Sequence, residues 1–206
     1  MNTKKKEVKD NSMKATRGEI DAREKILGAT LQMFNEKGLK FTMDDIAYSL
    51  SMSKKTIYQV FRDKETLFYD MVDYCFDSIK ESERKVVNDD SLDTVGKIRN
   101  ILGVLPDSYR DIDFRQLYLL KDKYPRCYQK MEERLESGWE TTIELMERGM
   151  QEGVIRPVNI QVFKTMLEAT LEQFFQRDVL IRNKISYSKA LDEVVNILVN
   201  GITTGK

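Results

Sequence analysis

Residues 42–67 read TMDDIAYSLSMSKKTIYQVFRDKETL and contain three helix starts in quick succession. Thr42 can cap the first helix, and Asp45 stands three residues on, where it can complete the cap. Ser53 can cap the second helix and Asp63 the third, because Ser, Thr and Asp side chains accept hydrogen bonds from the first N–H groups of a helix. The segment therefore predicts two short helices joined by a tight turn, followed by the start of another helix.

The helix that follows Ser53 has two different faces. Ile57, Val60 and Phe61 recur at the spacing of one helical face and are predicted to point into a core. The outward positions are basic, aromatic or polar: Lys54, Lys55, Thr56, Tyr58 and Gln59. A short helix of this kind, held by a turn against a preceding helix, is the pattern of a helix-turn-helix unit that reads DNA.

Three lysines of this segment stand where helix stability disfavours them. Lys54, Lys55 and Lys64 fall in first helical turns, where the macrodipole disfavours a cation by about 0.3–1 kcal/mol. Ordinary surface lysines are one explanation of this placement. The other is an anion that binds at the same helix ends, and DNA phosphate is the anion that fits a helix-turn-helix unit.

In this register the segment resembles the TetR family of bacterial transcription regulators. The resemblance covers about residues 20–70 and rests on Thr42, Ile46, Ala47, Ser53, Thr56, Tyr58, Phe61, Lys64 and Leu67. It implies that the helix after Ser53 enters the major groove. The base-edge or nearby contacts that it implies come from Lys54, Lys55, Thr56 and Gln59. The implied phosphate contacts come from Thr42, Tyr58 and Lys64.

Two positions depart from the pattern of that family. Ser51 stands in the turn where the family usually has glycine. If the backbone there has φ > 0, a serine is strained by about 1 kcal/mol. Lys55 stands where a small residue is common, and we expect it to alter the preference for bases. The fold prediction is unaffected by either departure, whereas the turn geometry depends on the first.

The residues before the motif predict a basic arm and a helix. Residues 1–17 carry six basic and two acidic residues without an apolar pattern, which predicts a disordered, solubilising arm. The alternative is an arm that adds phosphate contacts in a minor groove. A helix is expected from about Gly18 to Lys37, and Gly38 is a suitable residue to end it. Its apolar stripe consists of Ile20, Leu27, Leu31 and Phe34. The DNA-binding domain is thus expected to span residues 18–66.

The composition predicts an all-α protein of about nine helices. The 206 residues include 41% hydrophobic and 33% charged residues but only 10 Gly and 3 Pro, and helix-forming residues dominate. No apolar run reaches the ~18 residues that a membrane span needs, so no membrane partner is expected. The formal net charge is zero, but residues 1–70 carry 14 basic and 11 acidic residues. The excess of positive charge therefore lies in the part of the chain with the motif.

Histidine is absent, which removes the commonest metal ligand and the commonest general base. No paired-carboxylate, Gly-rich phosphate-loop or nucleophile motif replaces it. The sequence therefore predicts neither an enzyme nor a protein with a metal or other cofactor. A small helical enzyme is the rival prediction, and it would need a cluster of polar groups in a cleft. Cys75 and Cys127 predict buried reduced thiols rather than a disulfide, which suits the cytoplasm.

Residues 67–206 predict a second helical domain, and the resemblance implies that this domain binds an effector and forms the dimer. The helix after Ser53 has only about eight residues and reads few base pairs, so a homodimer on a palindromic site is expected. In the family that the motif resembles, the last two helices form the dimer. The interface residues predicted on them are Phe163, Leu167, Leu171, Phe175, Leu191, Val195, Leu198 and Ile202. The alternative is that one protomer buries both apolar faces of these helices.

The resemblance further implies an effector pocket in the second domain. The predicted lining residues are Tyr109, Tyr118, Trp139, Ile143, Met146, Met166, Thr170 and Phe174. This set is mostly apolar and aromatic, so an apolar or amphipathic ligand is expected, with ordinary core packing as the alternative for each residue. The expected function is that of a repressor which such a ligand releases from operator DNA. The alternative is a DNA-binding interaction protein of the same fold with no small-molecule effector.

Overall fold

The computed structural model describes residues 3–106 and 119–205, with the backbone alone for residues 3–17. In chain order the helices are α1 (Thr3–Lys37), α2 (Met43–Ser49), α3 (Lys54–Val60), α4 (Lys64–Val87), α5 (Thr94–Leu102), α6 (Leu120–Lys123), α7 (Pro125–Glu136), α8 (Glu140–Gln151), α9 (Ile160–Gln176), α10 (Val179–Arg182) and α11 (Tyr187–Asn200). A 3-10 turn, Gly38–Lys40, follows α1. The all-α prediction is confirmed.

Helix α1 begins at Thr3 and not near Gly18, so its backbone is helical through the segment for which the sequence predicts a disordered arm. The composition of residues 3–17 explains the difference, because no proline or glycine interrupts them and lysine, glutamate and alanine favour helix. The helix ends at Lys37, as predicted. Gly38 follows with a φ of +58°, a left-handed conformation that strains glycine little.

The chain divides into two compact units, Met1–Met71 and Val72–Lys206, which we call the N-terminal unit and the C-terminal unit. The division lies within α4, a few residues after the predicted boundary between residues 66 and 67. The N-terminal unit thus contains α1, α2, α3 and the first turns of α4.

An aromatic cluster lies at the centre of the N-terminal unit. The ring of Phe68 meets the ring of Phe34 edge-on, with centroids 5.8 Å apart, and the ring of Phe41 at 5.5 Å. Ile57 of α3 is fully buried, so this short helix turns one side inward and leaves the other side to solvent. Ile20, predicted on the inward stripe of α1, is 52% exposed, and the buried part of that stripe begins further along the helix.

Four helices, α5, α8, α9 and α11, supply most of the core of the C-terminal unit. Helix α5 packs on α8 and α11, and α9 packs on α11. The buried residues of this core are Ile98, Ile101, Leu145, Met146, Ile155, Phe163, Leu191, Val195, Val199 and Ile202. The end of the chain closes the core: Ile155 and Thr203 form an isolated antiparallel bridge. Arg99 of α5 donates hydrogen bonds to Asn196 and Asn200 of α11 at 2.5 and 2.8 Å.

None of the helices that the structure describes is long and apolar enough to cross a membrane. Within the described part of the chain, no three His, Cys, Asp or Glu side chains converge as a metal site requires. Cys127 is buried and Cys75 is half-buried, and both are thiols.

Candidate nucleic-acid interface

Reciprocal hydrogen bonds between Thr42 and Asp45 hold the start of α2. The N–H and hydroxyl groups of Thr42 donate to Oδ2 of Asp45 at 2.7 and 2.8 Å, and the Asp45 N–H donates back to the Thr42 hydroxyl at 3.2 Å. Lys37 adds a 2.8 Å ion pair to Oδ1 of Asp45. The hydrogen bond from Lys37, followed by those from Thr42, holds the pKa of Asp45 well below its usual range. The predicted cap is confirmed, and it engages the hydroxyl of the exposed Thr42 side chain.

The turn between α2 and α3 follows the Schellman pattern. The Met52 N–H donates to the Ala47 carbonyl at 2.9 Å, and the Ser51 N–H donates to the Tyr48 carbonyl at 3.1 Å. Ser51 has a φ of +52°, in the left-handed region. This is the conformation for which glycine is favoured, so the serine holds the turn with a strain of about 1 kcal/mol.

Helix α3 presents a continuous polar side to solvent. Ser53 caps the helix: the Thr56 N–H donates to the Ser53 hydroxyl at 3.1 Å, and the two hydroxyl oxygens lie 2.8 Å apart. Because Ile57 is buried, the predicted DNA contacts on the other side are exposed, namely Lys54, Lys55, Tyr58 and Gln59. Thr56 is half-buried and its hydroxyl belongs to the cap, which makes it the least accessible of the five predicted residues of α3.

The two lysines at the start of α3 differ in their partners. Lys54 forms a salt bridge with Asp44 of α2, although the two side chains remain 66% and 52% exposed. The hydrogen bond with Asp44 and the charge of its carboxylate raise the pKa of Lys54. Lys55 is exposed and forms no ion pair with any residue that the structure describes. The first turn of α3 therefore carries one neutralised and one unneutralised cation.

Lys64 does not extend from the surface as a phosphate contact would. Its ammonium donates hydrogen bonds to the carbonyl oxygens of Leu39, at 2.8 Å, and of Phe41. The same ammonium lies 4.0 Å from the centroid of the Phe41 ring and 5.5 Å from that of Phe68. Its place in a first helical turn thus has an intramolecular reason, since these carbonyls and rings offset the unfavourable macrodipole. We therefore assign Lys64 to the positioning of α4 rather than to the predicted phosphate contact.

Two residues of this surface, Asp44 and Tyr48, are absent from the predicted contacts. Tyr48 is 89% exposed, and among the large apolar and aromatic side chains that the structure describes as exposed it has the highest fraction. It stands four positions after Asp44, so both residues face the same side of α2. Helical spacing is the signal that could have found it, because Tyr48 directly follows the inward pair Ile46 and Ala47.

The residues predicted for a dimer interface face the wrong way for that role. Six of them are buried within the protomer: Phe163, Leu167, Phe175, Leu191, Val195 and Ile202. Leu171 and Leu198 are partly buried and pack against the core of the C-terminal unit. The apolar stripe that the sequence shows on α9 and α11 is therefore the side that the protomer itself covers. The outward sides of the two helices carry other apolar residues, Val162 and Met166 on α9 and Ile197 on α11, which are 52–62% exposed.

The residues predicted for an effector pocket do not form one group. Tyr109 and Tyr118 lie outside the described residues. Met146 is fully buried in the core, whereas Met166 is 52% exposed, so these two do not line a common cavity. The four others are half-buried: Trp139, Ile143, Thr170 and Phe174. They are the residues of the predicted set whose burial is compatible with a pocket wall.

Two of these half-buried side chains have defined neighbours. The Trp139 ring lies 5.7 Å from the Lys164 ammonium, which also donates to the Glu136 carbonyl at 2.9 Å. The Phe174 ring meets Tyr187 edge-on at 6.4 Å. A separate surface cleft of about 260 Å³ is lined by Leu92, Asp93, Thr94, Lys97, Arg148 and Glu152. None of the predicted pocket residues is among them, and the cleft is too charged to suit an apolar ligand.

Comparison with known proteins connects this geometry to a family. Residues 26–71 match the sequence model of the bacterial regulatory proteins of the tetR family. The chain is 26% identical over 179 residues to the uncharacterised HTH-type transcriptional regulator YvaF of Bacillus subtilis, covering 87% of this chain and 94% of that protein. It is 24% identical over 185 residues to the nucleoid occlusion factor SlmA of Photobacterium profundum, covering 85% and 93%.

Solved structures share the fold along most of the chain. A TetR-family transcriptional regulator from Cytophaga hutchinsonii superposes with a TM-score of 0.67 at 20% identity, covering 92% of this chain and 98% of that one. At this identity the likeness shows that the two chains fold alike.

Proposed function

The chain belongs to the TetR family of bacterial regulatory proteins, and from this premise we propose that it is a dimeric, sequence-specific DNA-binding transcription regulator. Helix α3 enters the major groove, and each protomer reads one half of a palindromic operator. A dimer is needed because a helix of seven residues, Lys54–Val60, contacts too few base pairs to specify a site alone.

The observation that carries the proposal is the exposed side of α3. Lys55 and Gln59 stand four positions apart and face the same way, and both are exposed. Lysine donates to O6 and N7 of guanine, and glutamine pairs with N6 and N7 of adenine, so we assign these two residues to base edges. Tyr58 is 50% exposed, and we assign its hydroxyl to a phosphate. We assign Thr42 to a phosphate as well, which its hydroxyl contacts when it donates its hydrogen bond to a phosphate oxygen instead of to Asp45.

The outward sides of α9 and α11 form the dimer in this proposal. Val162 and Met166 stand four positions apart on α9, and Ile197 of α11 is 62% exposed. Exposed apolar side chains at helical spacing are typical of a helix face that packs against a partner. A two-fold axis would bring the same residues of both protomers together in one interface.

We further propose that the protein represses transcription in the cytoplasm and leaves the operator when a ligand binds the C-terminal unit. Four half-buried side chains support an apolar or amphipathic ligand: Trp139, Ile143, Thr170 and Phe174. Three of them are apolar or aromatic, and the fourth carries a hydroxyl group. The ligand acts by favouring a conformation of the dimer that fits the operator less well.

The alternative is a DNA-binding interaction protein of the same fold that responds to no small molecule. The similarity to a nucleoid occlusion factor favours keeping this alternative, because that relative is named for a role other than transcription. A library of hydrophobic compounds separates the two. A compound that raises the melting temperature and releases DNA supports an effector, whereas a library without such a compound supports the alternative.

Selection of DNA from a random duplex library tests the proposal. The wild-type protein should enrich a palindromic sequence, and Gln59→Ala should lose preference at one position of each half-site. Lys55→Ala should weaken binding to the enriched site by about tenfold or more, the cost of one lost base contact. Lys25→Ala is the control, because Lys25 is an exposed lysine of α1 and its loss changes the net charge equally. A wild-type protein that enriches no sequence would overturn the proposal.

A further inference from the structure

Asp44 places a negative charge on the surface that we assign to DNA. Its carboxylate accepts a hydrogen bond from the Lys54 ammonium, and both side chains remain more than half exposed. The contact joins the first turn of α2 to the first turn of α3, the helix that we propose for the major groove. DNA that approaches Lys54 therefore also approaches Asp44.

A carboxylate at this position opposes binding to the DNA backbone. Phosphates repel it, and at 0.1 M salt such repulsion extends over about 10 Å. Moving the Lys54 ammonium from Asp44 to a phosphate exchanges one anion for another and leaves Asp44 unpaired beside the phosphates. Lys54 therefore adds little to binding where only phosphates lie within its reach.

A guanine edge changes this balance. An ammonium group has three N–H donors, so Lys54 can keep its hydrogen bond to Asp44 and donate at the same time to O6 or N7 of a guanine. The remaining acceptor sites of the Asp44 carboxylate suit the N4 amino group of a cytosine. The pair as a whole is then complementary to a G·C base pair, and neither charge is left unpaired.

We infer that Asp44 is a specificity-determining residue: it disfavours pairing of Lys54 with DNA phosphates but allows Lys54 to donate to the edge of a guanine. The inference rests on the proposed function and deepens it. Removing the charge of Asp44 should increase binding to DNA of any sequence more than it increases binding to a selected site.

The test compares full-length wild type with Asp44→Asn on two duplexes, one selected by the wild type from a random library and one of mixed sequence. Fluorescence anisotropy gives the affinities over a range of salt concentrations. On the mixed-sequence duplex we expect the variant to bind about three- to tenfold more tightly at low salt. The plot of log affinity against log salt should become steeper by about 0.9, because Lys54 then neutralises one more phosphate. The selected duplex should gain less, so that the ratio of the two affinities falls.

Three further variants isolate the cause. Glu24→Gln changes the net charge equally at an exposed position of α1 and should leave the ratio unchanged. Asp44→Glu keeps the charge and should preserve the wild-type ratio. In a Lys54→Ala background, Asp44→Asn should have no further effect on the salt slope. Thermal unfolding checks that each variant is folded, and Asp44→Ser, which also favours a helix start, replaces the asparagine variant if that one is not.

The possible results distinguish a failure of the inference from a failure of the proposed function. An equal gain on both duplexes, a steeper salt slope that persists without Lys54, or no gain in a folded variant would overturn the inference and leave the proposed function intact. A wild-type protein that selects no sequence would overturn the proposed function itself.

Discussion

The ammonium of Lys64 lies 4.0 Å from the centroid of the Phe41 ring and donates a hydrogen bond to the Phe41 carbonyl oxygen. A second hydrogen bond, of 2.8 Å, reaches the carbonyl oxygen of Leu39. The lysine thus ties the start of α4 to the 3-10 turn after α1. Both carbonyl groups belong to the segment that precedes the Thr42 cap, so the position of α2 depends on this lysine.

We expect Lys64→Met to destabilise the N-terminal unit by about 1.5–3 kcal/mol, the range for hydrogen bonds to a charged group in a half-buried site. Amide hydrogen exchange, followed by mass spectrometry over residues 38–71 of the full-length protein, measures the loss of protection. Lys55→Met is the control and should leave protection unchanged, because Lys55 is exposed. If Lys64→Met instead left protection intact and weakened DNA binding, the result would support the phosphate contact that the sequence predicts for Lys64.

Ser51 offers a substitution that should stabilise the protein. Its φ of +52° strains a serine, and glycine adopts the same conformation without a Cβ clash. Ser51→Gly should therefore raise the free energy of unfolding by about 0.5 kcal/mol at most, after allowance for the greater freedom of glycine in the unfolded chain. Chemical denaturation measures the change. Ser53→Gly is the matched control, because Ser53 caps α3 with a φ of −71° and its replacement should destabilise the protein slightly.

Short-range sequence signals made the helix-turn-helix unit of residues 42–67 predictable, whereas contacts between residues far apart in the sequence could not be predicted. The caps at Thr42 and Ser53 depend on residues three positions away, so one sequence was enough to place them. The left-handed turn at Ser51 was only a conditional expectation, raised by the glycine that is usual there in the family that the segment resembles. The partners of Lys54 and Lys64 are further along the chain, and spacing within one helix carries no signal for them. The position of the three lysines in first helical turns was correctly recognised as unusual. For Lys54 and Lys64, however, contacts with other groups of the protein explain this position without an anion.

The C-terminal unit shows a different limit. Periodicity identified the apolar stripes of α9 and α11 but not what covers them. A stripe that packs inside a protomer and a stripe that packs across a dimer have the same spacing. Only the burial of Leu167 and Val195, set against the exposure of Met166 and Ile197, distinguishes the two sides. For the pocket, the aromatic and methionine residues carried even less information, since such residues are common in any core.

Asp63 should make part of the stability dependent on pH. Its carboxylate accepts hydrogen bonds from the N–H and hydroxyl groups of Thr66, at 2.8 Å each, and from Arg62. These bonds lower the pKa of Asp63 from 3.8 to about 2. A carboxyl whose pKa is lowered on folding stabilises the protein fully above its unfolded pKa, near 3.8, and loses that contribution as the pH falls towards 2.

Asp63→Asn isolates this contribution, because asparagine also caps helices but carries no charge. We expect the wild type to melt at a higher temperature than the variant at pH 6, and the difference to shrink steadily between about pH 4 and pH 2. Thermal unfolding followed by circular dichroism measures it. A difference that stays constant down to pH 2 would contradict the assignment.

Gly149 and Gly18 predict opposite effects of the same substitution. A Cβ at Gly149 would lie 2.6 and 2.8 Å from Cδ1 and Cγ1 of Ile155, a side chain that is only 2% exposed and cannot move away freely. Gly149→Ala should destabilise the protein by about 1–2 kcal/mol, since crowding outweighs the gain in helix propensity. Gly18→Ala meets no atom within 4 Å and should stabilise α1 by about 0.5–1 kcal/mol. Urea denaturation of both variants measures the contrast, and a Gly149→Ala variant at least as stable as the wild type would contradict the packing at Ile155.

The proposed dimer makes a prediction that depends on which side of α11 faces the partner. Ile197 is 62% exposed, so Ile197→Glu should leave an isolated protomer folded. In a two-fold interface the substitution places two unpaired carboxylates among apolar side chains, and the dissociation constant should rise about 100-fold or more. Sedimentation velocity measures the shift towards monomer. Ile181→Glu is the matched control, because Ile181 is 47% exposed but lies on α10, outside the proposed face. A dimer that survives Ile197→Glu and dissociates with Ile181→Glu would move the interface from the outward side of α11 to α10.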